Sequence, residues 1–368
     1  MMTTSKKLLS PFSLGRLVLP NRIVMAPLTR NRVGPGNVPT AMMVKYYAQR
    51  ASAGLIISEA TQISPEAQGY DLTPGIHSAE QIAGWREVTD AVHERGGRIF
   101  LQLWHVGRVS NVALQPGGVA PVAPSAIQAQ ARTWVAGDFV ATSPPRALTL
   151  EEIPDVVAKY RRAAANAIAA GFDGVELHGA NGYLIDQFLR DGSNHRTDAY
   201  GGSIENRVRF LREVAQAVAD EIGGDRLGVR LSPVTPANGA FDSDPLPLFF
   251  HAVETLNTVA PAYLHVIEGE TRGARDFGPA LDYRKIRQAF RGAYIGNNGY
   301  DFGLAERAVG DGATDLVAFG RAYIANPDLV ERYAHGAPLN EPHVPSFYGG
   351  DDAGYTDYPQ MDDIVSRA

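Results

Sequence analysis

The chain has 368 residues, 45% of them hydrophobic and 20% charged, which supports a sizeable core and excludes wholesale disorder. A net charge of −6 with no clustered basic face gives no electrostatic case for nucleic acid or an anionic membrane, so small molecules are the expected partners. The absence of cysteine excludes disulfides, thiolate-bound zinc and iron–sulfur clusters.

At the start, Lys6 and Lys7 precede only Leu8 and Leu9 before Ser10-Pro11, too short for a signal h-region, and nowhere do eighteen apolar residues run together. A soluble cytoplasmic protein is expected. Two short apolar runs around Gly15, between Pro11 and Pro20, predict a hairpin covering a barrel floor. Strand-like segments then fall at 22–27, 54–60, 98–103, 172–178, 227–232, 262–267, 293–296 and 315–319. Helical spacing alternates with them at 40–52, 79–95, 151–170, 203–222, 246–258, 281–290, 301–309 and 326–334, with Ser78, Thr149, Ser203 and Asp301 as caps. Eight such units predict a (β/α)₈ TIM barrel, here as one domain over 1–368. An open doubly wound sheet lacks its usual signals, since neither G-x-G-x-x-G nor G-x-x-x-x-G-K-[ST] occurs. Between strand three and its helix, the Pro-, Gly- and Ala-rich stretch 105–148 is too long for an ordinary loop and is expected to form a lid or subdomain.

In a barrel the chemistry lies at the C-terminal strand ends, and those ends are polar here. Pro27, Leu28 and Thr29 close strand one, Glu59-Ala60 strand two, and Gln102 sits just before Trp104 in strand three. In strand five, apolar Val229 and Leu231 turn toward the helices, which turns Arg230 inward. An inward guanidinium needs an anion, either a ligand or an internal carboxylate such as Glu176. Gln102 offers a donor and an acceptor on one planar group, suited to the edge of a heterocycle or to backbone. After strands seven and eight come Gly296-Asn297-Asn298-Gly299 and Phe319-Gly320-Arg321, where barrels often bind phosphate through backbone N–H groups. A planar cofactor bearing a phosphate would occupy both ends of such a site, and flavin mononucleotide (FMN) has that shape.

Strand four runs into VELHGANGYLIDQFL, which gathers His178, Asn181 and Tyr183 within six residues. His178 and Asn181 are spaced to share one face, whereas Tyr183 would point to the other side of a regular helix. The trio reads either as a structural turn with a core histidine or as groups that embrace a small molecule.

Taken together, LPNRIVMAPLTR at 19–30, SAGLIISEATQIS at 52–64, QLWHVGR at 102–108, the His178 segment, YGGSIENR at 200–207, AFGRAYIANPDL at 318–329, SFYGG and GYTDYP resemble the Old Yellow Enzyme family over nearly the whole chain. The resemblance implies a barrel that holds FMN, is reduced by NADPH or NADH, and then reduces activated alkenes (enones, enals, maleimides, nitroalkenes) by ping-pong kinetics, with nitrate esters and nitro compounds as further oxidants. It places Thr29 near flavin N5 and O4, Pro27 and Leu28 beside it, and Ala60 and Gln102 on the pyrimidine side. Arg230 falls on the N1–O2 edge, with Asn298, Gly299, Phe319, Gly320 and Arg321 around the phosphate. His178 and Asn181 would bind the substrate's activating oxygen, Tyr183 would donate the proton, and Tyr70, Trp104 and Tyr348 would wall the pocket. A monomer or weak homodimer is expected. Many members carry a second His where Asn181 stands, and Thr29 rather than Cys is similar to the larger branch. The segments 105–148, 235–244 and 268–278 match least.

Two other readings use the same residues. A barrel glycosidase would employ Glu59, Glu176 and Glu268 near strand ends but leaves Arg230 and the Gly-rich loops idle. A non-catalytic flavin binder would not require Tyr183. No metal site is expected, because the nine histidines show neither H-x-H nor H-E-x-x-H.

Overall fold

In the computed structural model, which describes residues 6–278 and 281–361, eight parallel strands form a closed barrel. They are β1 (Ile23–Met25), β2 (Leu55–Ile57), β3 (Ile99–Trp104), β4 (Gly174–Gly179), β5 (Leu227–Leu231), β6 (Tyr263–Ile267), β7 (Ala293–Asn297) and β8 (Leu316–Phe319). Each pairs with the next, and β8 pairs back to β1.

Alternation along the strands separates two apolar layers. Val24, Leu55, Ile57, Phe100, Tyr263, Ile295 and Leu316 form an inner cluster with Leu14 and Leu19. Their neighbours Ile23, Ile56, Leu101, Val229, Leu231, Leu264 and Val317 pack outward with the helices in a larger cluster. Each such side chain contributes roughly 1.5–3 kcal/mol on burial, so a one-residue slip of any strand is strongly opposed. Leu14 and Leu19 come from the antiparallel hairpin Phe12–Leu14 and Leu17–Leu19, which plugs the barrel floor as its position in the chain predicted.

Seven helices return the chain between strands, α1 (Ala41–Ala48), α2 (Ala79–His93), α3 (Ile153–Ala169), α4 (Ile204–Ile222), α5 (Pro245–Val259), α6 (Tyr283–Ala289) and α7 (Phe302–Gly310), and α8 (Leu329–His335) follows the last strand. Ser78, Ser203 and Asp301 cap α2, α4 and α7 by accepting from the third helical N–H, and Ser78 completes a capping box with Gln81. Thr149 does not cap α3. A turn over 150–152 intervenes, and the Glu152 carboxylate accepts from the Thr149 N–H instead. The predicted helix 326–334 begins only at Leu329, because Pro327 has no N–H with which to continue the short preceding helix Arg321–Ala325.

The 105–148 stretch is not structureless. Val122–Ala123 pairs with Arg146–Ala147, and Arg132–Val135 forms a hairpin with Asp138–Ala141. The Asp71 N–H donates to Trp134 O, and Val106, Val109 and Ala129 pack on Ala60 and Trp104 at the barrel mouth.

The inner layer leaves no room at Gly228. A Cβ there would lie 2.0 Å from the Tyr263 ring of the neighbouring strand. Gly228→Ala should therefore lower the urea midpoint by an overpacking cost of about 1–3 kcal/mol, and an unchanged midpoint would show that Tyr263 moves freely.

Candidate active site

At the end of β4 the chain turns sharply after Gly179. Asn181 and Gly182 both adopt left-handed conformations, with φ of 59° and 73°. Gly182 is required there, since a Cβ would come within 2.7 Å of Ala237 O. The turn corrects the expected direction of Tyr183. Because 178–183 is a strand end and a turn rather than a helix, Tyr183 folds back, and its ring lies 4.9 Å from that of His178 at 78°. Trp104 closes the triangle, with its ring 5.0 Å from Tyr183 at 85° and 6.4 Å from His178.

These rings form one wall of a cavity of about 680 Å³ at the C-terminal ends of the strands. Pro27, Leu28, Thr29, Ala60, Gln102, Arg230, Asn298, Gly299, Phe319, Gly320, Arg321 and Tyr348 also line it. Tyr70 stands behind, stacked on Trp104 at 5.8 Å with its Oη 3.5 Å from Tyr183 Oη. Tyr348 arrives on the C-terminal tail, which buried Arg30 and Arg32 hold by donating to the carbonyls of Ser346, Phe347, Asp351 and Gly354.

Arg230 turns inward as its strand pattern requires, but it does not pair with Glu176. Its Nη2 donates to Asn297 Oδ1 at 2.9 Å, while its buried Nε has no partner among the described residues. Glu176 instead accepts from Gln102 Nε2 at 2.7 Å and from His265 Nδ1 at 2.8 Å. Burial raises the Glu176 carboxyl, but His265 and Arg230 outweigh it and hold it below the usual range. Gln102 thus bonds to a side chain on β4, neither to backbone nor with its full capacity to a ligand.

Burial governs the protonation of His178 and Tyr183. It depresses His178 well below 6.5, reinforced by Arg230 and His265, and the imidazole stays neutral. Burial raises Tyr183, against hydrogen bonds from Tyr70 and Asn238, and the phenol keeps its proton at neutral pH.

None of the three glycosidase carboxylates lines the cavity. Burial lifts Glu59 to about 7, which would suit an acid catalyst, yet it is bonded to Tyr47 Oη. Glu268 accepts from Tyr294 and Tyr300 and pairs with Arg275. No local pattern in the chain marks Thr271 and Arg272, which line the cavity from the loop after β6, or Asn297 as the partner of Arg230. That loop matches the family pattern least, so no motif marked it, whereas Asn297 stood within the Gly-rich signal itself.

Residues 7–340 match the model of the NADH:flavin oxidoreductase / NADH oxidase family. The chain belongs to this family. A relative from Oryza sativa subsp. japonica, putative 12-oxophytodienoate reductase 11, is 49% identical over 97% of this chain and 98% of its own. A probable flavin mononucleotide-dependent alkene reductase from Leishmania infantum is 47% identical over 96% and 97%. The solved structure of morphinone reductase in complex with tetrahydroNAD superposes with a TM-score of 0.93 at 51% identity, covering 97% of this chain and 98% of that one. The family's flavin suits the cavity on physical grounds. Among the described residues Arg230 Nε is a buried donor without a partner, and Gly299, Gly320 and the cationic Arg321 line the far end of the cavity, where an anion would meet backbone and a fixed positive charge. Asn298 can contribute only its backbone there, because its carboxamide already donates to Glu268 O and Glu270 O. Among the described residues, no helix is long and apolar enough to cross a membrane.

The neutral state of His178 is directly measurable. In ¹⁵N spectra assigned by difference against His178→Gln, its imidazole should stay unprotonated as pH falls through 6.5, and an imidazolium signal growing in near that pH would overturn the burial argument.

Proposed function

We propose that this protein is an NAD(P)H-dependent FMN ene-reductase acting on alkenes conjugated to a carbonyl or nitro group. The observation that carries the reading is one cavity that gathers a buried cation, two neutral donor side chains and a protonated phenol. When bound, FMN supplies two-electron chemistry between a reduced nicotinamide and a carbon–carbon double bond.

Thr29, Ala60, Gln102 and Arg230 would hold the ring, with Pro27 and Leu28 beside it. Asn298, Gly299, Phe319, Gly320 and Arg321 would hold the phosphate. Arg230 would present a fixed cation to one ring edge, able to stabilise negative charge there without reorganisation. His178 and Asn181 would donate to the activating oxygen and draw electron density from the double bond, while Tyr183 Oη delivers its proton to the α-carbon. Tyr70, Trp104 and Tyr348 would shape the pocket, with the 105–148 segment bracing Trp104 from outside. Enones, enals, maleimides and nitroalkenes share the required oxygen, and nitro compounds and nitrate esters present the same group.

A cytoplasmic enzyme, monomeric or weakly dimeric, fits this reading. Reduced nicotinamide coenzymes are held inside cells, and exposed apolar residues such as Val18, Phe241 and Val344 come from separate parts of the chain. The primary test is spectral: the purified protein should be yellow, with a flavin spectrum bleached by NADPH or NADH under nitrogen and restored by cyclohexenone. A colourless protein that takes up no FMN would overturn the proposal.

Arg230→Ala should be isolated with little FMN, or with flavin that is reduced more slowly; wild-type flavin content together with a wild-type reduction rate would remove the role given to Arg230.

Tyr183→Phe should leave reduction by NADPH nearly unchanged and slow reoxidation by cyclohexenone by roughly 10²–10⁴-fold, the usual weight of a positioned acid. Nitroalkenes should suffer less, since a nitronate is stable enough to be protonated in water. Stopped-flow traces showing both half-reactions slowed equally would contradict this assignment.

A further inference from the structure

Asn181 raises a question that His178 does not. A carboxamide is two-faced: its NH₂ can donate to an activating oxygen, whereas its carbonyl would repel one. Something must hold the NH₂ toward the substrate. The backbone of Asn181 is fixed first, with its N–H donating to Ser232 Oγ at 2.8 Å and its carbonyl accepting from Asn238 Nδ2 at 2.9 Å.

The side chain is then fixed from ninety residues away. Thr271 Oγ1 donates to Asn181 Oδ1 at 2.6 Å, while the Thr271 N–H donates to Thr235 Oγ1 at 2.8 Å. The loop that carries Thr271 is itself anchored, because Asn298 Nδ2 donates to Glu268 O at 2.8 Å and Glu270 O at 3.0 Å. With Oδ1 committed to the threonine hydroxyl, the NH₂ is the group left for a ligand. Rotating the amide by half a turn would place the NH₂ on Thr271 Oγ1 and turn the carbonyl toward the cavity, exchanging the donor offered to a ligand for an acceptor.

We propose that Thr271 is a positioning residue that locks Asn181 as a hydrogen-bond donor, so that the loop after β6 selects ligands presenting lone pairs at this point. The proposal rests on the reading that Asn181 binds the activating oxygen. The ligand class that follows is carbonyl, nitro and phenolate oxygens; a ligand presenting N–H or O–H there meets a second donor and is disfavoured. Neither Thr271 nor Asn181 titrates, so this half of the oxygen site keeps its polarity at every pH at which the protein folds.

The test is titration of the FMN-loaded enzyme with p-hydroxybenzaldehyde. Its phenolate offers lone pairs and, as an electron-rich ring over an electron-poor one, a broad long-wavelength absorption band. Thr271→Val should weaken binding about tenfold, equivalent to about 1.4 kcal/mol. Thr271→Ala, which removes the same hydroxyl without a branched side chain, should behave alike, and Thr271→Ser should restore affinity to within about twofold. Asn181→Ala should weaken binding at least as much as Thr271→Val, and adding Thr271→Val to it should cost nothing more, because the threonine acts through the amide. Wild-type affinity in both Thr271→Val and Thr271→Ala, alongside weakened Asn181→Ala, would overturn the positioning role alone. So would fully additive losses in the double variant. Wild-type affinity in Asn181→Ala would instead remove the reading of Asn181 on which the inference stands.

Discussion

Burial pulls the Arg230 guanidinium down from its usual range, yet a guanidinium keeps its proton at any pH at which proteins fold, so Arg230 places a lasting positive charge inside the barrel, and much of the surrounding architecture answers that charge. One Nη is taken by Asn297, whose own amide donates to Ala318 O across the β7–β8 boundary. The nearest compensating anion, Glu176, is held off by Gln102 and His265 rather than allowed to close on Arg230. The cation therefore remains available at the cavity. A direct ion pair would satisfy the interior and leave the site electrostatically spent.

The same logic explains why the site is assembled from loops that brace one another. The β7 loop holds the β6 loop through Asn298, and the β6 loop reaches Asn181 through Thr271. The β4 turn is further tied to β5 by Ser232. The Asn181 carboxamide offered to a ligand is thus fixed by bonds made elsewhere, the condition under which a donor acts without reorganisation. The C-terminal tail contributes Tyr348 under the same rule, clamped by Arg30 and Arg32 and by the stacking of Tyr355 on Tyr46 at 4.1 Å.

Strand alternation and loop composition carried much of this in the primary structure. The inward turn of Arg230 followed from Val229 and Leu231, and the caps at Ser78, Ser203 and Asp301 followed from residue type and position. What local pattern could not carry was any relation across the barrel. Nothing near Glu176 announces Gln102 and His265, each more than seventy residues away, and nothing near Asn181 announces Thr271. The direction of Tyr183 departs from helical spacing for a different reason: two successive left-handed residues, Asn181 and Gly182, reverse the chain just before it. The offsets at α3 and α8 are smaller and local, set by a turn before Pro154 and by Pro327.

The three groups around the proposed substrate share one property: none of them changes charge near neutral pH. His178 stays neutral because burial desolvates its imidazolium and Arg230 and His265 repel it, Tyr183 keeps its proton because its phenolate would be desolvated, and Asn181 has nothing to titrate. For His178 the sign is definite: with its folded pKa below the unfolded value of about 6.5, protonation is favoured by unfolding, so its contribution to stability is present above that value and is lost as pH falls. The low dielectric that would be a liability for a single buried charge is thereby what keeps two donors and an acid in working form together. Replacing Asn181 by His would add a titratable partner beside His178, and the locked carboxamide avoids that second proton altogether.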